Sequence, residues 1–295
     1  MDPFGAEGEL VNIHTAFVQG QYELVLSDFE ASSFSDTNRQ PVQILQYRAQ
    51  CALGQYDDVI KSVGNSSVPD LQAVKALATF LKNGSDGAVA DAEKLSETQG
   101  ENLTVQLLCG IVLARAGKAD QALALLSRHE GSLDAVALSV QIHLSQNRTD
   151  LALKEAKSAR SFAQDALLVN LAESWVGMRQ GGEDYQKSFY VFEELAQAPS
   201  SASATSLIAQ AVSELHMGRL EEAETALNQA LVLEPDNSAA LANKVVLDSI
   251  NGKDVSEVRS KLQSVDSQHE MLLDYAAKKE AFQAALEKYS PKFEA

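Results

Sequence analysis

The sequence predicts an all-α fold, a tetratricopeptide-like helical-repeat solenoid of about eight helix-turn-helix hairpins. Three observations carry this. A turn residue recurs at Gly20, Gly54, Gly84, Gly117, Asn147, Gly181, Gly218 and Gly252, with gaps of 34, 30, 33, 30, 34, 37 and 34 residues. That spacing sits near the roughly 34-residue length of a tetratricopeptide unit. Small residues flank several of these turns, as in Gly110, Gly117 and Ala122 or Asn147, Ala152, Ala156 and Ala159. The prolines Pro41, Pro69, Pro199, Pro235 and Pro291 all fall at expected boundaries rather than inside helices.

The clearest unit runs from about Ala204 to Asn237. Leu207, Gln210 and Ala211 lie on its first helix, Gly218 at its turn, and Ala223, Leu227 and Ala230 on its second. Small residues at Ala211 and Ala223 let the two helices approach. Gly218 suits a left-handed residue just past a helix end, where a Cβ costs about 1 kcal/mol or more. Pro235 has no N–H and closes the second helix. Glu214 stands where an aromatic is usual. Weaker copies are in phase: HTAFVQGQY at 14–22 and YRAQCALGQY at 47–56 both end in Gly-Gln-Tyr. Gly181-Gly182 precedes the longest gap and suggests an insertion of one or two residues. The copy after Gly252 is poor, as expected of a terminal capping repeat.

The domain reading is one repeat domain over 9–293. Within it, 204–293 supplies the C-terminal repeats and a cap. Residues 1–8 lack periodicity and read as a disordered tail or an expression remnant. The chain has 24 basic and 41 acidic residues, a formal charge of −17. This argues against nucleic acid, where cations meet phosphates, and against direct adhesion to anionic lipid. No signal peptide and no apolar run near 18 residues stands out, so the reading is cytoplasmic. Cys51 and Cys109 fall on first helices and read as free core thiols. Asn102 and Asn147 begin glycosylation-like triplets but serve as helix-boundary residues.

A search for chemistry yields none. The five histidines are dispersed, with no His-x-x-x-His pair for a metal. There is no phosphate loop ending in Gly-Lys-Ser/Thr and no Gly-x-Ser-x-Gly elbow. Asp57-Asp58 and Glu221-Glu222 open second helices, where carboxylates suit the helix dipole. Trp175, spaced with Leu168, Leu171 and Met178, reads as core. The expectation is therefore no enzyme, no cofactor and no metal.

First helices of such hairpins line the inner face, through positions set by the helical period. Here those positions include Phe17, Ile44, Arg48, Val74, Leu81, Leu107, Ile111, Arg115, Leu144, Leu171 and Ile208. The face is largely aliphatic with a few cations, and it lacks the Lys and Asn that clamp a peptide carboxylate. Left bare, it would invite aggregation, so a permanent partner with a folded or β-hairpin element is expected.

Several segments carry a more specific signal. HTAFVQGQYELVL (14–26), SSVPDLQAVKALATFL (66–81), ALSVQIHLSQNRTDLALKEAK (137–157), LAESWVGMRQGGEDYQKSFYVFEELAQ (171–197) and HEMLLDYAAKKEAFQAALEKYSP (269–291) occur in order. They resemble the epsilon subunit of coatomer, the COPI vesicle coat. The resemblance implies a non-catalytic coat subunit in Golgi-to-ER retrograde and intra-Golgi transport. It further implies a 1:1 heterodimer with the C-terminal domain of the alpha coatomer subunit, whose β-hairpin the hairpins of about 9–200 encircle. Contacts with other coatomer subunits would follow, with the protein peripheral on Golgi membranes and COPI-coated vesicles and membrane association indirect. The competing expectation is a tetratricopeptide-repeat adaptor of another cytosolic complex.

Overall fold

The computed structural model describes residues 8–198 and 202–289. Every regular element among them is helical: α1 (Val11–Val18), α2 (Tyr22–Ser27), α3 (Arg39–Ala52), α4 (Tyr56–Val63), α5 (Pro69–Asn83), α6 (Asp86–Thr98), α7 (Leu103–Arg115), α8 (Ala119–Leu126), α9 (Leu133–Ser145), α10 (Thr149–Phe162), α11 (Leu167–Gln180), α12 (Glu183–Gln197), α13 (Ala204–His216), α14 (Leu220–Leu233), α15 (Ser238–Ile250), α16 (Ser256–Val265) and α17 (Glu270–Tyr289), with one 3-10 turn at Ala31–Ser33. Consecutive odd and even helices form hairpins, and α17 follows the eighth. The chain divides into two compact units, residues 1–201 and 202–295. The expected tail and Pro199 to Ser201 lie outside the described residues, apart from Gly8.

The repeat frame sets the helices closely. All eight turn residues have positive φ, from 59° at Asn147 to 80° at Gly20 and Gly181. At Gly54 the turn closes with two bonds: Gly54 N–H donates to the Cys51 carbonyl (3.1 Å) and Gln55 N–H to the Gln50 carbonyl (2.9 Å). This Schellman pairing satisfies carbonyls that a helix end otherwise leaves open. The same pair of bonds forms at Gly20, Gly117, Asn147, Gly218 and Gly252. Gly84 and Gly181 differ, each donating once to the carbonyl four residues back, from Phe80 and Gly177. Asn147 is the one non-glycine of the set, and its side-chain Oδ1 accepts from Arg179 Nη2 at 2.6 Å.

Starts are as well defined as ends. Pro69 is the first residue of α5. Asn102 caps α7, its Oδ1 accepting from Val105 N–H at 3.0 Å. Ser203 and Ser206 form a reciprocal capping box on α13. Asp57-Asp58 and Glu221-Glu222 occupy the first turns of α4 and α14.

In unit 1, small residues set the spacing within hairpins. A Cβ on Gly110 would meet the Leu126 side chain at 3.2 Å. In the sixth hairpin the close approach lies between Gly177 and Ser188, where a Cβ would come within 2.6 Å of the serine Oγ. Ser188 stands seven residues past its turn, whereas Ala122, Ala152 and Ala223 stand five past theirs. The Gly181-Gly182 insertion thus amounts to two residues. The main core of unit 1 contains Val59, Val105, Leu108, Cys109, Val112 and Leu126. Cys51 and Cys109 are free buried thiols. Trp175 is half-buried and packs on the cluster of Val140, Ala156, Val169 and Ala172.

Unit 2 contains α13 to α17. Ala211, Ala226, Leu227 and Leu247 form one core, and Leu241, Ala242, Leu262 and Leu272 another. Lys244 ties α14 to α15, reaching Glu224 at 2.8 Å and Asp248 at 3.1 Å.

Candidate partner-binding site

The six first helices of unit 1 pack in a closed cycle. α1 touches α3, α3 touches α5, α5 touches α7, α7 touches α9, α9 touches α11, and α11 returns to α1. An open array of repeats has contacts only between neighbours. Here the first hairpin also meets the fifth and sixth.

Three buried side chains join at this closure. His14 of α1 donates through Nε2–H to Asp134 Oδ2 at 2.7 Å, and Arg48 Nη2 of α3 donates to Oδ1 at 3.1 Å. Their side chains are 11%, 11% and 8% exposed for His14, Arg48 and Asp134. Burial works against charge on Asp134. The His14 hydrogen bond and the Arg48 guanidinium overcome it and hold the carboxyl far below the usual carboxylate range. The Arg48 guanidinium also lies 4.3 Å above the Phe17 ring, which meets Tyr22 edge-on at 5.5 Å. Phe17 and Arg48, both expected on the inner face, are thus in direct contact.

Beside this cluster is a cavity of about 290 Å³. Its walls come from α3, α5, α7 and α9 together with the residues preceding α3 and α9. Ile44, Arg48 and Leu107 line it. The fully buried Leu45 and Leu108 pack behind this wall, and Thr104, Ser132 and Asp70 add polar groups. Asp70 accepts from Asn102 Nδ2 at 3.0 Å, and no cation among the described residues pairs with it.

The other expected inner-face residues are placed less uniformly. Leu81 and Ile111 are half-buried against the main core, and Leu144 against the cluster that holds Trp175. Leu171 is half-buried on α11 and Arg115 is exposed at the end of α7. Val74 is 1% exposed and belongs to the buried core, so it offers no surface. Ile208 lies in unit 2, packed on the Ala211 and Leu227 core. His14, Asp134 and Asp70 were not among the expected residues. His14 does share with Arg48 the ninth position of its repeat, and that register was the available signal for it.

Nothing in this arrangement resembles a reaction centre. Burial pushes the Cys51 thiol up to about 11 and the Cys109 thiol up to about 12. Among the described residues, no group of three His, Cys, Asp or Glu side chains could hold a metal ion. No helix among them is long and apolar enough to cross a membrane.

Comparison with known proteins agrees with this fold and adds a family. A chain of the crystal structure of the APC/C hetero-tetramer Cut9-Hcn1 is similar at a TM-score of 0.58 and 15% identity, over 89% of this chain and 51% of that one. That likeness concerns fold alone and supports a tetratricopeptide-like solenoid. Coatomer subunit epsilon-1 of Arabidopsis thaliana is 30% identical over 95% of this chain and 97% of its own length. The probable coatomer subunit epsilon of Schizosaccharomyces pombe is 32% identical over 80% of this chain and 78% of its own. The sequence profile described as coatomer epsilon subunit matches residues 6–290. With a match over nearly the whole length, the chain belongs to the coatomer epsilon subunit family.

Proposed function

We propose that this protein, a non-catalytic epsilon subunit of the COPI coat, binds and steadies the C-terminal domain of the alpha coatomer subunit in a 1:1 complex. The observation that carries this reading is the closed cycle of first helices in unit 1. Its helices carry half-buried aliphatic side chains at Leu107, Ile111, Leu144 and Leu171, positions that the repeat register assigns to the inner face. A protruding β-hairpin of the partner, clasped there, would cover that apolar surface. An obligate interface of this kind buries about 2,000 Å² or more, and a few anchors dominate it. In this reading residues 9–200 carry the partner contact and 204–293 supply further repeats. The protein would act in the cytoplasm, peripheral on Golgi membranes and COPI-coated vesicles in Golgi-to-ER retrograde and intra-Golgi transport. A formal charge of −17 suits membrane association through the coat rather than through anionic lipid.

The test is co-expression with the C-terminal domain of an alpha coatomer subunit, followed by size-exclusion chromatography with light scattering. The expected result is a single 1:1 species that persists in high salt. Separate elution would overturn the reading and leave a repeat adaptor of another complex.

A further inference from the structure

We propose that the cavity between α3, α5, α7 and α9 is an anchor pocket for one lysine or arginine side chain of the bound partner, with Asp70 as its counter-ion. This rests on the reading that the partner docks on the inner face of unit 1.

The wall chemistry selects the occupant. Ile44, Leu103 and Leu107 supply an aliphatic wall, with Pro41 beside them. Such a surface accepts a methylene stem but leaves a small polar or anionic group desolvated. Two carboxylates and one guanidinium also line it. Asp134 and Arg48 neutralise each other at 3.1 Å, and Arg48 is further occupied over the Phe17 ring. Asp70 is the charge left over. It spends one oxygen on Asn102 Nδ2 and has no cation partner among the described residues. The side chains that line the pocket therefore carry one net negative charge beside an aliphatic wall. Long basic side chains match this, because they bury an aliphatic stem while keeping a charged head at a polar rim.

Size points the same way. At about 290 Å³ the cavity sits at the lower bound of the roughly 300–1,000 Å³ typical of cofactor and drug-sized sites. It suits a single side chain better than a free small molecule. A half-buried carboxylate in such a pocket also matches the composition of binding hot spots, where arginine is enriched at desolvated centres.

The test uses the complete chain with the C-terminal domain of the alpha coatomer subunit. Affinity is measured for wild type, Asp70→Asn and Asp70→Lys across salt concentrations, with thermal unfolding as the folding control. Asp70→Asn is expected to weaken binding at least tenfold in low salt and to flatten the salt dependence. Asp70→Lys should weaken it further. Replacing the partner's lysines and arginines one at a time by glutamate, against wild type, should reveal one position of comparable loss. That same replacement should bind better to Asp70→Lys than to wild type.

If wild type fails to bind this domain, the functional reading falls. If wild type binds and both Asp70 variants bind equally well, the anchor pocket is overturned while the functional reading stands. Should the Asp70 variants not fold, the partner scan decides alone. An absence of any sensitive basic position in that scan overturns the pocket assignment.

Discussion

Arg48 and Asp134 stand 86 residues apart in the sequence and 3.1 Å apart in the fold, and His14 reaches the same carboxylate from 120 residues away. Removing one member of a buried ion pair leaves an uncompensated charge and costs about 3–5 kcal/mol. Asp134→Ala is expected to lose that much from unit 1. Trp175 is the sole tryptophan and lies in this unit, so its fluorescence during urea denaturation provides the readout. A combined His14→Leu, Arg48→Met, Asp134→Leu variant should recover most of the loss, because well-packed apolar replacements of buried ion clusters are often neutral.

The same carboxylate makes stability depend on acidity. The Asp134 carboxyl titrates well below its value of about 3.9 in an unfolded chain. In that interval the unfolded state holds more protons than the native state, so stability rises with pH. The contribution is complete above about pH 5 and is lost as pH falls below about 4. The urea midpoint of wild type should therefore drop between pH 5 and pH 3, and that of Asp134→Asn should drop less. Parallel slopes would remove Asp134 as a source of acid sensitivity.

Asn147 takes a left-handed conformation at φ 59° where the other turns of the series have glycine. Asparagine tolerates this region better than alanine because its short polar side chain bonds locally, so alanine there bears more of the roughly 1–2 kcal/mol left-handed cost and loses the acceptor for Arg179. Asn147→Ala should lower stability by about that amount, whereas Asn147→Gly should stay within about 0.5 kcal/mol of wild type. Equal stability of all three would contradict the Schellman geometry at this turn.

Gly177 and Ser188 hold α11 against α12. Ser188 Oγ donates within its own pair of carbonyls, Ser174 at 3.0 Å and Asp184 at 2.9 Å, and leaves no room for a methyl. Alanine in a helix interior ordinarily gains about 1 kcal/mol over glycine. Here overpacking of about 1–3 kcal/mol opposes that gain. Gly177→Ala is expected to be net destabilising, and adding Ser188→Ala should restore stability. A double-mutant cycle with zero coupling would refute the contact.

The thiols offer a direct probe of burial. With Cys51 raised to about 11 and Cys109 to about 12, neither forms much thiolate at pH 8, and the thiolate is the reactive species. Iodoacetamide should label neither in the native protein and both in urea. Rapid native labelling of either would show that its helix opens readily.

Much of the fold was legible because the repeat carries its own register. α7, α9, α11, α13 and α15 begin at Leu103, Leu133, Leu167, Ala204 and Ser238, each fourteen residues before its turn residue. Glycine and small residues report such geometry locally. The closure did not announce itself, because Asp134 in sequence is simply an acid in the first turn of a helix and His14 a lone histidine. Their meeting depends on curvature summed over five hairpins. Val74 shows the same limit from the other side. Its inward register is sound, yet it belongs to the buried cluster of Ile44 and Leu108, and burial depends on how closely α3, α5 and α7 pack. Asp70 was legible only as the residue after Pro69. Its lack of a cation partner emerges once its neighbours in space are known.

The cycle of first helices has a consequence for how unit 1 comes apart. A linear stack of hairpins frays from its ends, since each terminal repeat has one neighbour. A stack whose first member is fastened to its fifth and sixth has lost one loose end. The hairpin at Val11–Ser27 should then exchange its amide protons no faster than those deep within the unit. Contacts that span 120 residues also raise the mean sequence separation, and with it the time needed to fold. Unit 1 is expected to assemble more slowly than an open array of equal length and, once formed, to yield as one block.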